Sequence, residues 1–369
     1  MNRHRLFSCL LLLFLLASCG REKEEYGEEY IPGFDDNQSA RKGIDMDETT
    51  LYIKEWEHQI VYCADVETGD LYPLCAKPDC DHKNVKCNAQ IPLNPGLCYY
   101  QDRLIASDGV KVRYLRMDGS GSEEIGKFAD AEYTGTMCES IVHRGYAYTG
   151  NTLFGNNEVA AKIMRLSIES GESEVVFELS WPYGETGIVQ GFGIGNLCGN
   201  GSKVYFTANH KEGEEIRTEI YCFDTKNGKT SRIYEGAWQW ATCLRNGKWY
   251  WQTETGVYCW NPETEEERCL YAFAEYPGWK EYMEIYQDGF IIREYDPVVL
   301  RFYDWEGNPV AQMDFPATEP MHFSVEGNFD SYLVCRYLKE DKKNYSYAVM
   351  DTGRLGEASP EWIFFEFEE

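Results

Sequence analysis

The sequence predicts an all-β fold and, within that class, a β-propeller of seven blades built from antiparallel strands. Three observations predict it. Seven similar polar turns recur along residues 46–369, and short β-branched and aromatic runs flank them. Apolar residues at helical spacing are sustained nowhere beyond the first nineteen residues. The 369 residues are 43% hydrophobic and 15% aromatic, enough for a large core. With 62 acidic residues against 35 Lys and Arg the formal charge is −27. That excess excludes a nucleic-acid partner, because binding phosphates requires a basic stripe that displaces counterions.

In chain order, Arg3 and Arg5 open a positive segment, and residues 10–17 are an unbroken apolar run. The run fits the core of a secretory signal and is too short to span a bilayer. It ends in Leu16-Ala17-Ser18-Cys19-Gly20, which resembles the lipobox of bacterial lipoproteins. The resemblance implies removal of residues 1–18, diacylation of the Cys19 sulfur, and a mature protein anchored at the extracytoplasmic face of the cell membrane. A simple cleavable signal also ends in small residues, so Cys19 is the specific element. Residues 19–45 read as an acidic, disordered tether, charged, rich in turn formers and nearly free of aliphatic side chains. A short solvated strand or helix is the alternative.

The repeats follow. The turns open at Asp65, Asp118, Ser167, Asp224, Asn261, Asp304 and Asp351, 37 to 57 residues apart, which suits four-stranded blades. In Asp65-Val66-Glu67-Thr68-Gly69 and Asp224-Thr225-Lys226-Asn227-Gly228 the Asp bonds to its own backbone and Gly takes the positive-φ position. Strands precede the turns at 59–63, 112–115, 219–223, 256–260, 300–303 and 346–350. A second strand lies upstream at 145–148, 203–207, 247–251 and 288–292. A radial arrangement buries both faces of each unit and leaves only short edges. The ring is expected to close by pairing of terminal strands, and six or eight blades are the neighbouring counts.

Ala64-Asp65-Val66-Glu67-Thr68-Gly69 also resembles the Ala-Asp-x-x-Thr-Gly turn of the quinoprotein-type propeller repeat. The whole of 46–369 resembles extracytoplasmic, TolB-like propeller lipoproteins of anaerobic gut bacteria. The tryptophan that the repeat carries after its Gly is missing, with Tyr72 and Pro73 in that region. This departure removes any warrant for a quinone cofactor.

Of fourteen cysteines, Cys9 lies in the signal and Cys19 is the anchor, leaving twelve in the exported domain. Outside the cell that number points to disulfides. Cys63, Cys222 and Cys259 nevertheless share one place in their repeats, just before the turn, and also read as buried thiols acting as small hydrophobes. Cys75, Cys80, His82 and Cys87 form a cluster, Cys-x4-Cys-x-His-x4-Cys, between the first two repeats. Four such ligands suit a closed, structural zinc site, with Lys77, Lys83 and Lys86 offsetting the thiolate charge. Disulfides among the same cysteines, with His82 a bystander, satisfy the spacing as well, and unpaired free thiols are the third alternative. The resemblance to the lipoproteins implies a similar Cys-Pro-x-Cys-x-His loop. Four protein ligands leave a metal no open position, so catalysis by it is not expected.

Trp238, Trp240, Trp249 and Trp251 are placed by the period-two rule on one face of adjacent strands. There they stack on a sugar ring or pack between blades. Gly191, Gly193, Gly195, Gly199 and Gly201 read as an inter-blade loop rather than a phosphate cradle, lacking the Lys-Ser/Thr of a P-loop. His58, His143, His210 and His322 stand alone as surface or packing residues. No nucleophile elbow, HExxH pair or sialidase-type Asp box occurs in the sequence. The expected function is a membrane-tethered, non-catalytic module binding a glycan, a peptide or an envelope protein. The alternatives are a carbohydrate-acting hydrolase or lyase with its site at one mouth of the channel, and a structural subunit of an envelope complex.

Overall fold

The computed structural model describes residues 43–55, 57–91, 96–131, 136–137, 140–154, 158–182, 193–212, 215–237, 239–274, 281–295, 297–315, 322–329, 331–338, 345–356 and 360–367. Cys19 and the stretch 1–42 lie outside them, as does Trp238. Among the described residues the strands form seven antiparallel sheets in sequence order, the blades of a propeller. Blade 1 spans 45–73, blade 2 spans 96–127, blade 3 spans 136–182 and blade 4 spans 193–237. Blades 5, 6 and 7 follow at 240–272, 281–314 and 324–365. The first strands of successive blades lie side by side around the ring. Fourth strands are outermost: Glu266–Ala272 and Pro309–Asp314 are largely exposed, whereas the third strand Ser346–Asp351 is buried along nearly all its length.

All seven recurring turns connect the third and fourth strands of their blades. Asp65 Oδ1 accepts from the backbone N–H of Glu67 and Thr68 at 2.9 and 2.8 Å, and Gly69 sits at φ 79°. Asp224, Asp304 and Asp351 cap their turns the same way. The local chemistry that marked the repeats is thus the chemistry that reverses the chain.

Apolar side chains project from both faces of a blade. Trp249 and Trp251 point toward blade 4, while Tyr250 between them packs on blade 6. Seven clusters result, each spanning one pair of neighbouring blades. Polar staples also run from each blade to the next. Asp45 Oδ2 accepts from Tyr99 N at 2.7 Å, and Ser140 Oγ donates to Ser107 Oγ at 2.8 Å. Thr152 Oγ1 accepts from Ile194 N at 3.3 Å and Thr218 Oγ1 from Gln239 N at 3.0 Å. Gln252 Oε1 accepts from Met283 N at 2.6 Å, and Arg293 Nη1 donates to Phe323 O at 3.0 Å. A neutral bond of this kind contributes about 1 kcal/mol, against about 1.5–3 kcal/mol for each buried large apolar side chain. The clusters therefore supply the stability, and the staples fix how neighbouring blades align.

Ring closure differs from the expectation. Blades 1 and 7 are each built from consecutive strands, with no shared terminal strand among the described residues. The seam closes instead by packing of Ile44, Leu51 and Ile53 against Phe329, Tyr347 and Phe365, and by Tyr347 OH donating to Lys54 O at 3.3 Å. Ile44, at the end of the expected tether, is fully buried here. Gly193, Gly195 and Gly199 are also not in a loop, while Gly201 is in the turn that follows and Gly191 lies outside the described residues. Gly193–Asn200 is the innermost strand of blade 4. A Cβ on Gly193 would stand 2.4 Å from Thr152 Oγ1, so the glycine permits the close approach that the blade 3–4 staple needs.

Candidate metal centre

The connection from blade 1 to blade 2 carries Cys75, Cys80, His82 and Cys87. Both of its ends are tied to the third strand of blade 1. Leu74 N donates to Val61 O at 2.9 Å, Val61 N to Ala89 O at 3.0 Å and Ile91 N to Gln59 O at 2.9 Å. Its middle sits on the blade 2 turn, where Gly119 O accepts from Ala76 N at 2.9 Å and from Asn88 Nδ2 at 3.0 Å. Gly119 is at φ 71°, and a Cβ there would stand 2.7 Å from Ala76 N. Only glycine satisfies both the turn and the contact.

Held in this way, the three sulfurs and an imidazole nitrogen all lie within 4.8 Å of one another. His82, in the left-handed region at φ 52°, turns Nδ1 to 3.5 Å from Cys87 Sγ. Bonds of about 2.3 Å to sulfur and about 2.0 Å to nitrogen at the tetrahedral angle put those two ligand atoms about 3.5 Å apart. The cluster therefore has the size of a tetrahedral metal shell. Cys75, Cys80 and Cys87 are free thiols.

The surroundings treat the thiols unequally. Burial pushes Cys75 up, yet the backbone N–H groups of Lys77 and Asn88 and the neighbouring thiols outweigh it, so its thiol lies below the ordinary range. Burial dominates at Cys87 and raises its thiol to about 12, although Ala89 N–H hydrogen-bonds the sulfur. Backbone donors aimed at sulfur stabilise thiolate ligands. Lys77, Lys83 and Lys86 are exposed around the loop, and Lys77 Nζ bonds to Lys86 O. Asp81 Oδ1 accepts from Lys83 N at 3.2 Å and from Asn84 Nδ2 at 2.8 Å, shaping the tip. The arrangement can hold a metal ion with every position filled by protein.

The other sequence-derived candidates fall elsewhere. Trp249 and Trp251 are 0% and 1% exposed in the blade 4–5 cluster, which leaves neither indole a face for a sugar. Tyr205 meets Trp249 edge-on at 5.7 Å, and Tyr234 packs 5.1 Å from Trp251 and 5.0 Å from Trp260. Trp240 is half-buried beside Gln252. Cys63, Cys222 and Cys259 are buried free thiols between blades, raised by burial, Cys63 to about 12. His143 is fully buried with Nε2 2.9 Å from Gly201 O. His210 stacks on Trp181, and His58 lies 3.3 Å from Glu55. Sequence reading missed Gly119 and Asn88, the groups that seat the loop of candidate ligands. The Asp118-Gly119 turn was visible, but nothing in the spacing pairs it with a loop some forty residues earlier.

No family model matches the chain, and no curated protein matches it. Among solved structures the chain is similar to a prolyl endopeptidase, at a TM-score of 0.56 and 11% identity over 92% of this chain and 51% of that one. It thus spans about half the length of that enzyme. An oligogalacturonate lyase in complex with manganese is similar at 0.50 and 12% identity, over 81% of this chain and 84% of the other. TolB from Acinetobacter baumannii is similar at 0.37 and 14% identity, over 79% and 66%. At such identities the first two likenesses show the propeller fold alone.

Proposed function

We propose that this chain is a non-catalytic binding module, an extracytoplasmic propeller of the lipoprotein type tethered by a diacylated Cys19 and locked at its first joint by zinc. It binds a glycan, a peptide or another envelope protein. The observation that carries the reading is the closed ligand set of Cys75, Cys80, His82 and Cys87 within 4.8 Å. Three soft sulfurs and one imidazole favour zinc over harder ions such as the manganese of the lyase. When bound, the metal supplies a cross-link within the connecting loop, and no coordination position is left for a substrate. The thiolates hold the ion, while Gly119 and Asn88 keep the loop against blade 2.

Metal analysis of anaerobically purified protein should give about one zinc per chain, lost in Cys80→Ser. Absence of zinc together with oxidised cysteines rejects the site. Screening oligosaccharides, peptidoglycan fragments and peptides for both binding and turnover tests the module. Binding without product supports it, and product release replaces it with a hydrolase or lyase. Cys19→Ala should shift the protein from the membrane fraction to the soluble one and abolish labelling by a fatty-acid analogue. Unchanged membrane association would remove the lipid anchor from the account.

A further inference from the structure

Two joints are stapled by a charged side chain, the 1–2 joint by the buried carboxylate of Asp45 and the 6–7 joint by a buried guanidinium. Between blades 5 and 6 the staple is a neutral glutamine, Gln252, and between blades 4 and 5 a threonine, Thr218. Between blades 6 and 7 it is a guanidinium: Arg293 is 4% exposed and donates from Nη1 to Phe323 O. Burying that charge is costly, and a glutamine would close the joint without the cost. Compensation is partial. Glu284 Oε1 lies 3.7 Å from Nη1, and the ring centres of Tyr282, Tyr295 and Phe323 lie 5.4, 4.7 and 5.9 Å from the guanidinium carbon. Arg293 Nε has no hydrogen-bond partner.

The neighbouring elements continue the cluster. Glu326, on the innermost strand of blade 7, is 1% exposed. Its Oε1 accepts from Ser324 Oγ and faces Arg336 Nε at 3.2 Å, while Oε2 is unpartnered. The Arg336 guanidinium lies over the Tyr345 ring at 4.6 Å, and His322 Nδ1 is 3.1 Å from Tyr345 OH. Tyr282, Glu284, Tyr295, His322, Arg336 and Tyr345 are all half-buried, so they form a partly open rim above the buried Arg293 and Glu326. In the antiparallel order of each sheet, the start of the first strand and the end of the second lie opposite the seven recurrent turns. Glu284 and Glu326 belong to innermost strands, so the cluster stands at that mouth of the ring.

We propose that this end of blades 6 and 7 binds a ligand carrying a carboxylate beside hydroxyl or amide groups. Arg336 meets the carboxylate with its planar fork, the tyrosine faces take the body of the ligand, and Glu284 accepts from its donors. Buried charge in excess of what closure needs, beside half-buried tyrosines that reach the surface, distinguishes recognition from packing. The acid surplus of the chain does not forbid an anionic group there, because exposed charges beyond about 8 Å are screened at physiological salt. The inference rests on the binding-module reading and gives that module its ligand class. A sugar acid and a peptide carboxy terminus are two sources of the same chemistry.

Calorimetric titration of the full chain separates them, using a galacturonate trimer and a free tripeptide against a neutral galactose trimer and the amidated tripeptide. One carboxylate probe should bind and its neutral counterpart should not. Arg336→Gln should weaken binding about tenfold or more, the worth of a charge-assisted hydrogen bond, with Arg336→Lys recovering part of it. Tyr345→Ala, at the rim, should weaken binding with an unchanged melting temperature, which covers the case in which Arg336→Gln disturbs folding by stranding Glu326. Equal affinity for neutral probes, or no binding of either carboxylate probe at millimolar concentration, overturns the inference. If another glycan or peptide then binds and Arg336→Gln leaves it unaffected, the binding module stands and only this site falls.

Discussion

The joint between blades 4 and 5 and the joint between blades 1 and 2 solve one packing problem with different materials. At 4–5 the interface is filled by Trp249, Trp251 and Trp260 with Tyr205 and Ile220. At 1–2 it holds Tyr52, Ile60, Leu74, Ala89, Leu97 and Ala106, with Cys63 and Cys87. The strands differ correspondingly. Blade 4 runs ten residues in each of its two middle strands, whereas blade 1 ends in the three-residue strand Leu71–Pro73 and blade 2 begins with four residues, Gly96–Tyr99. Joint 1–2 buries more side chains than joint 4–5, but they are smaller and include no tryptophan. At that joint the chain adds a loop that hydrogen-bonds to both blades and gathers four metal ligands. The difference teaches that a propeller joint can be filled by a few large aromatic side chains or by many smaller ones under a connecting loop hydrogen-bonded to both blades.

The largest expected effect sharpens the aromatic side of this comparison. Trp249→Ala should cost about 3–5 kcal/mol in chemical denaturation, from lost burial and the cavity left behind. The loss should be the same with and without a chelator, and a chelator-dependent loss would show that the two joints are not independent. Next in size, Cys80→Ser should lower the melting temperature by about 5 °C or more, since a structural metal contributes its binding energy to folding. An unchanged melting temperature would reduce the cluster to a solvated loop. Gly119→Ala should cost about 1–3 kcal/mol, through its positive φ and its contact with Ala76, and should weaken metal retention without touching a ligand. Retention as tight as in the parent would break the link between the turn and the loop.

The smallest effect concerns the turns. Backbone N–H groups of Thr68 and Glu67 hold the Asp65 carboxyl below its usual range, the Ser120 hydroxyl and N–H do so for Asp118, and the Asn308 side chain for Asp304. A folded value below the unfolded one of about 3.9 contributes stability above that pH, lost as pH falls through the folded value. Acid titration of stability should therefore show a decline setting in below about pH 4, shallower in Asp304→Asn. An identical decline in that variant would separate the turns from acid sensitivity.

Much of the fold was legible because the turns carry their own chemistry. Asp65, Asp224, Asp304 and Asp351 each bond to backbone a few residues on, and that information is local. The candidate metal ligands were legible for the same reason, lying within thirteen residues. The seat of the loop was not, because Gly119 meets Ala76 and Asn88 only through the stacking of two blades. The tryptophans misled in a different way. Period-two alternation separates a wet face from a dry one only in a sheet with one solvated side, and here both faces of a blade are covered. Trp249 and Tyr250 point in opposite directions and are both buried. The staples were invisible since Asp45, Ser107, Thr152, Thr218, Gln252 and Arg293 have no residue type in common.

Hydrogen exchange on the metal-loaded chain, before and after chelation, compares the two joints in one experiment. The expected result is faster exchange confined to residues 59–91 and 116–121, with 240–261 unchanged. Exchange that is the same everywhere after the metal is gone, or that accelerates equally at both joints, would contradict a metal-ordered loop seated between blades 1 and 2.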